Sequence, residues 1–305
     1  MTFPTCSTLT DSRKCDGCRV AVNREWAALL GRGLVKTIGD FGFQGDAPTH
    51  PELLDWLAVE FMRDDWSLKR LHKRIVTSAT YRQTSRVPPE LRARDPENKL
   101  LARGPRFRME AETIRDSALR ASGLLSEKMG GPGVRPPQPE GVTEAACGNA
   151  KWTADTGENR YRRSLYTFAE RTAPFALYNN FDAPTGEACI ARREVSNTPL
   201  QALALLNDVV FLEAARALGG ALATLGGSTE DRVRIAFRRC LTRPPTEEEV
   251  VLLAKFVSAQ KERFTNGELD ARALAGDGLG DVNDRAAWTA LARAILNLDE
   301  AITRG

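Results

Sequence analysis

Apolar residues recur every three to four positions along most of the chain, the period of helices with one buried face. Residues 19–35 place Val22, Trp26, Leu29 and Leu30 on one side, and Gly31 or Gly33 ends the helix they predict. A glycine-punctuated loop at 41–45 leads to a second helix near Thr49, where Pro51 and Glu52 are start signals. Leu53, Leu54, Trp56, Leu57 and Phe61 cover its inner side. Ser67 caps a third helix, with Leu68, Leu71, Ile75 and Val76 inward and Lys69, Arg70, Lys73 and Arg74 toward water. Pro88 and Pro89 break the pattern, and 108–123 restores it through Met109, Ile114, Ala118 and Leu119.

The most apolar stretch is 200–218, with Leu203, Leu205, Leu206, Val209, Val210, Phe211 and Leu212 on nearly every face. Such a helix is expected to be buried all round. Thr198 suits its N-cap, Pro199 its first position and Gln201 a capping box. Farther on, Thr246 and Glu249 form a second capping box ahead of Val250, Leu253, Ala254, Val257 and Phe264. A last helix carries Trp288, Leu291, Ile295, Leu298 and Ile302 at spacings of three and four, after a Gly- and Asp-rich loop at 265–283 that reads as flexible. Only 163–168 (RSLYTF) resembles a strand, and GGPGVRPPQPEG has too many glycines and prolines for either regular element. The expected fold is therefore mainly α: a multi-helix globular bundle with a long Gly/Pro-rich irregular segment and at most a little β structure. Its parts are a disordered leader (1–18), an N-terminal helical lobe (19–123), an irregular linker or arm (124–160) and a C-terminal helical lobe (161–305).

Composition narrows the class without naming a reaction. The 305 residues are 42% hydrophobic and 27% charged, as in ordinary globular proteins, and a formal charge of +3 is too small to imply nucleic acid or an anionic membrane. No apolar run reaches the ~20 residues of a membrane span, because Asn207 and Asp208 interrupt the best one. The first residues show no apolar core of a signal peptide. Of six cysteines only Cys15 and Cys18 form a close pair, and Arg19 stands where haem attachment would need histidine. Two isolated histidines, His50 and His72, give no metal-ligand spacing, and no metal site is expected.

Candidate chemistry gathers at 181–208 and in the arginines. Arg106 with Arg108, Arg160 with Arg162 and Arg163, and Arg192 with Arg193 form three groups that could bind carboxylate, sulfate or phosphate bidentately. They could equally pair with Glu110, Glu112, Asp182, Glu187 and Glu194 as structural braces. Asp182, Glu187 and Glu194 could supply a carboxylate pair for acid–base work, and Cys189 a thiolate beside positive charge. The candidate binding residues are Asp182, Glu187, Cys189, Arg192, Arg193, Asn197, Arg162 and Arg163.

Seven segments in order carry a family resemblance: NREWAALLGRGLV, DFGFQGDAPTHPELLDWLAVEF, WSLKRLHKRIVTSATYRQ, YRRSLYTF, FDAPTGEACIARR, SNTPLQALALLND and LNLDEAITR. Together they resemble the planctomycete domain of unknown function found at the C-terminal end of large cytochrome-c-like proteins, over about 20–305. The resemblance implies a helical domain, a secreted or periplasmic setting, and a haem c carried on a separate domain, with no cofactor in this chain. Ser196 stands where the family usually has threonine, and Val209 where a proline often follows Asn-Asp. The function this implies is a binding or interaction module of a cytochrome-c-linked assembly, with a cytochrome-c-like domain as partner and acidic polysaccharide as a further ligand. The alternative is an enzyme, a carboxylate-based hydrolase or haem-partnered oxidoreductase, with its site at 181–201.

Overall fold

The computed structural model describes residues 12–139, 141, 152–170 and 172–305, with the side chains of 12–15 left outside. Thirteen α-helices and one two-stranded sheet among these residues make the fold mainly α, as the periodicity predicts. The chain divides into two compact units. Unit 1 is Met1–Phe107 with Ile190–Arg192 and Arg304–Gly305; unit 2 is Arg108–Cys189 with Arg193–Thr303.

Unit 1 is built on α1 (Ser12–Leu30), α2 (Pro51–Arg63) and α3 (Leu68–Val76). Val22, Trp26 and Leu30 of α1 pack with Leu54, Leu57 and Phe61 of α2 and with Leu71 and Ile75 of α3. Helix α1 begins at Ser12, ahead of the Arg19 start that the pattern predicts. Residues 12–18 of the expected disordered leader (1–18) are thus helical and Cys18 is a buried free thiol, while 1–11 and the Cys15 side chain fall outside the described residues. One buried polar residue, Asn23, fixes the turn after α1: its side chain accepts from the Val35 N–H (2.9 Å) and donates to the Val35 carbonyl (3.0 Å). The short helix α4 (Pro89–Arg94) follows. Residues 304–305 also belong here, with the Arg304 guanidinium 5.0 Å from the centre of the Tyr81 ring.

Unit 2 contains α5 (Ala111–Ser122), α6 (Ala176–Asn180), α7 (Pro199–Asn207), α8 (Val209–Thr224), α9 (Thr229–Leu241), α10 (Glu247–Thr265), α11 (Ala271–Ala275), α12 (Val282–Leu296) and α13 (Asp299–Ile302). Its centre is α8 against α12, where Ala214, Ala215 and Leu218 meet Ala287, Trp288 and Leu291 in one core cluster. The approach is close because Gly219 has no side chain. A Cβ there would stand 2.5 Å from Thr289 Oγ1 and 2.6 Å from its backbone nitrogen. The capping boxes Ser228/Asp231 and Thr246/Glu249 start α9 and α10, each tying two end N–H groups.

Further expectations change. The long apolar helix breaks at Asp208, which is extended (φ −65°, ψ 139°), and its side chain caps α8 by accepting from the Val210 N–H at 2.9 Å. Its first part, α7, is not buried all round: Leu200 and Leu203 are 63% and 52% exposed. The RSLYTF segment is a 3-10 turn over Ser164–Tyr166, and its strand-like pairing is limited to isolated parallel bridges, Ser126 to Arg162 beside it and Val134 to Thr167 within it. The 265–283 loop holds α11, capped by Asp270, which accepts from the Ala273 N–H. Finally, the last helix stops at Leu296; Leu298 is extended and exposed, and α13 starts anew after it. The small sheet pairs β1 (Phe107–Arg108) with β2 (Thr303–Arg304).

Candidate functional site

Within unit 2, the ends of the polar stretch are closed by one carboxylate. Helix α6 stops at the buried Phe181, and Asp182 turns the chain with φ +57°, a conformation uncommon outside glycine. Asp182 Oδ2 accepts from Arg108 Nη2 at 2.5 Å and from the Ser196 N–H at 2.9 Å, while the Ser196 hydroxyl donates to Oδ1 at 2.8 Å. Arg108 also donates to the Ser196 carbonyl, and its guanidinium lies 5.8 Å from the Phe181 ring centre. Gln201 completes the knot by donating to Ser196 Oγ at 3.2 Å. Its side chain therefore serves the clasp and not the helix start, and Thr198 makes no side-chain cap.

The electrostatics follow the contacts. Burial pushes the Asp182 carboxyl upward, but the Arg108 guanidinium and the two Ser196 donors outweigh it and hold the group below its ordinary value. Asp208 has the opposite balance, with burial raising it beyond what the Val210 N–H and the Arg115 charge can offset. A second clasp holds the returning chain: Arg193 donates to both Glu112 oxygens (2.7 and 3.0 Å), with Glu110 at 3.6 Å. Glu112 sits in the first turn of α5, a favourable place for a carboxylate.

The remaining candidates do not converge with Asp182. Glu187, Cys189 and Asn197 are exposed, and Arg192 is exposed in unit 1. Arg162 is buried and spent on backbone, donating to the carbonyls of Pro132 (2.9 Å) and Gly130 (2.5 Å) while stacked over Tyr166. Arg163 is exposed and reaches Asp116 at 3.8 Å. Among the described residues, no three His, Cys, Asp or Glu side chains are placed to hold a metal ion, and no helix is long and apolar enough to cross a membrane.

Sequence reasoning missed Arg115, which organises this region. It is fully buried and donates to the carbonyls of Arg162 (2.8 Å) and Arg160 (3.0 Å) and to the Ser164 hydroxyl (3.2 Å). Asp116 beside it accepts from the Ser164 N–H at 2.8 Å, and Tyr178 donates to the Ser164 carbonyl at 2.9 Å. Burial lowers the Arg115 pKa from its usual value. The signal was present: Arg115 lies four residues after Ala111 and four before Leu119, inside the apolar stripe of α5. Arg160 is similarly paired, with Glu213 at 2.5 Å. What the region can do chemically is thus limited by saturation: its strongest cations and Asp182 already hold partners.

No match was found among curated proteins or among solved structures. A family model described as a protein of unknown function (DUF1553) matches residues 6–257, most of the chain. Matched over most of its length, this chain belongs to that family, PSD1.

Proposed function

We propose that the chain is an interaction module that docks a partner domain on the exposed side of α7, with a cytochrome-c-like domain as the partner. The observation that carries this is the inversion of α7. Gln201 and Leu205 face inward, while Leu200 and Leu203, three residues apart, stand in water with Val195 and Val209, which are 62% and 39% exposed. Single exposed apolar residues are ordinary, but several from one short stretch mark a contact surface. The Asp182–Ser196 clasp and the Asp208 cap hold both sides of that stretch in place, which lowers the ordering cost of binding. The resemblance supplies the partner: a c-type cytochrome domain carrying its own haem, in a secreted or periplasmic protein. An enzyme built on Asp182 and Glu187 has less support, because Asp182 is engaged on both oxygens and Glu187 is exposed.

The test is a calorimetric titration of the chain with a c-type cytochrome domain from a protein that also carries this family. Saturable binding is expected, weakened about tenfold or more by the double substitution Leu200→Asp and Leu203→Asp. Both side chains are exposed, so the variant should keep the wild-type circular dichroism. Absence of binding, or equal binding by the double variant, would remove the reading.

A further inference from the structure

A cavity of about 420 Å³ lies within unit 1, between the end of α1, the segment 96–107 and Arg192. Its size suits a small ligand. Trp26, Leu30, Leu34 and Phe107 give it apolar walls. Its charge is one-sided: Arg32, Arg92, Lys99, Arg103, Arg106 and Arg192 line it against a single carboxylate, Glu97. That carboxylate is already shared, by Arg32 at 2.7 Å, Lys99 at 3.3 Å and Lys36 at 3.6 Å. Hydrogen bonds from Arg32 and then Lys99, with the charges of Lys36 and Lys99, hold its pKa down to about 2.

Three of the remaining cations, Arg92, Arg103 and Arg192, are under-matched. Arg103 Nη2 donates to the Pro96 carbonyl at 2.8 Å, but its Nη1 is buried with no partner. Arg92 and Arg192 make no ion pair with any described residue. A buried guanidinium N–H without an acceptor is costly, and an incoming oxyanion would supply one.

The walls are fixed in advance. Asp95 accepts from the N–H groups of Lys99 and Leu100, both at 2.8 Å, and Asn98 and Leu101 hold φ values of +51° and +54°. Two such residues in one short loop represent strain that the surroundings must support. Gly31 has φ +75°, and a Cβ there would come within 2.7 Å of the Phe107 ring, so only glycine lets that wall close.

We propose that this cavity binds a multiply charged oxyanion, carried as carboxylate, sulfate or phosphate on a body no larger than one or two sugar rings. Acidic saccharide and free phosphate share that chemistry, so the probes must separate them. The site lies within unit 1 and the α7 surface within unit 2, so this inference stands or falls apart from partner docking.

The experiment is isothermal titration of the full chain at low salt with a sulfated disaccharide, a uronate disaccharide and inorganic pyrophosphate, beside uncharged sucrose. Saturable binding of at least one charged probe is expected, with none for sucrose. Arg103→Ala and Arg192→Ala should each weaken it about tenfold or more. Arg239→Ala, an exposed arginine of unit 2, should leave it unchanged. The probe bound most tightly identifies the source of the anion. Because Arg192 is exposed and unpaired, its variant keeps the test valid even if Arg103→Ala fails to fold. The proposal is overturned if no charged probe saturates, or if Arg239→Ala weakens binding as much as Arg192→Ala.

Discussion

Arginines serve opposite ends in the two units. In unit 2, Arg108, Arg115, Arg162 and Arg193 each find acceptors within their own chain: a carboxylate, several carbonyls, or both. In unit 1, Arg92 and Arg192 at the cavity make no ion pair with any described residue; buried guanidinium nitrogens without a partner occur in both units, Arg32 Nε and Arg103 Nη1 here and the Nε atoms of Arg108, Arg115 and Arg162 there. The residue type is the same. What differs is whether backbone carbonyls are left over nearby. The Gly/Pro-rich segment of unit 2 forms few regular hydrogen bonds, so its carbonyls become ligands for arginine. Arginine there replaces secondary structure as the way to satisfy buried backbone.

The sharpest way to break this contrast is Arg162→Ala. It would orphan the carbonyls of Gly130 and Pro132 and empty a buried volume, and should cost about 3–5 kcal/mol of stability by chemical denaturation. A loss below about 1 kcal/mol would mean those carbonyls find other donors.

A second, smaller effect is the acid response of Asp182. Its folded pKa lies below the ordinary 3.8, so its contribution is fully present above that value and is lost as pH falls through the folded pKa. Stability measured by thermal melts should therefore drop below about pH 4, and Asp182→Asn should flatten that part of the slope while lowering stability at neutral pH. An unchanged acid slope in the variant would show that the Arg108 clasp is not what holds the group ionised.

The smallest effect is the most discriminating. Arg192→Ala should leave the melting temperature essentially alone, within about 0.5 kcal/mol, whereas its sequence neighbour Arg193 is tied to Glu112. A marked loss at Arg192 would place it with the bracing arginines and close the distinction between the units.

Much of the helical frame was legible. Periodicity with proline and cap signals placed α2, α3 and α10 close to their observed limits, because propensity, capping and burial agree there. The break at Asp208 was harder. Apolar residues continue across it, and the sign lay in Asp208 itself, whose side chain caps the helix that starts at Val209. The 163–168 segment misled because its composition suits a strand, while Arg115 and Asp116 claim the backbone of 162–164. The site was partly legible. Pairing of the 108 and 193 arginines with nearby acids was one of two readings of the sequence, but nothing in the spacing brings Arg192 to residues near 100.

The division of unit 1 among three pieces of chain sets an order of events during synthesis. Residues up to Phe107 are made before unit 2, yet Arg192 follows the whole of Arg108–Cys189, and Arg304 comes about two hundred residues after Phe107. At roughly 5–20 residues per second, that is an interval of some ten to forty seconds. During it Tyr81 lacks the guanidinium that covers it, and for somewhat less than the first half of it the cavity lacks Arg192. Unit 1 thus begins before unit 2 in the chain and is finished after it.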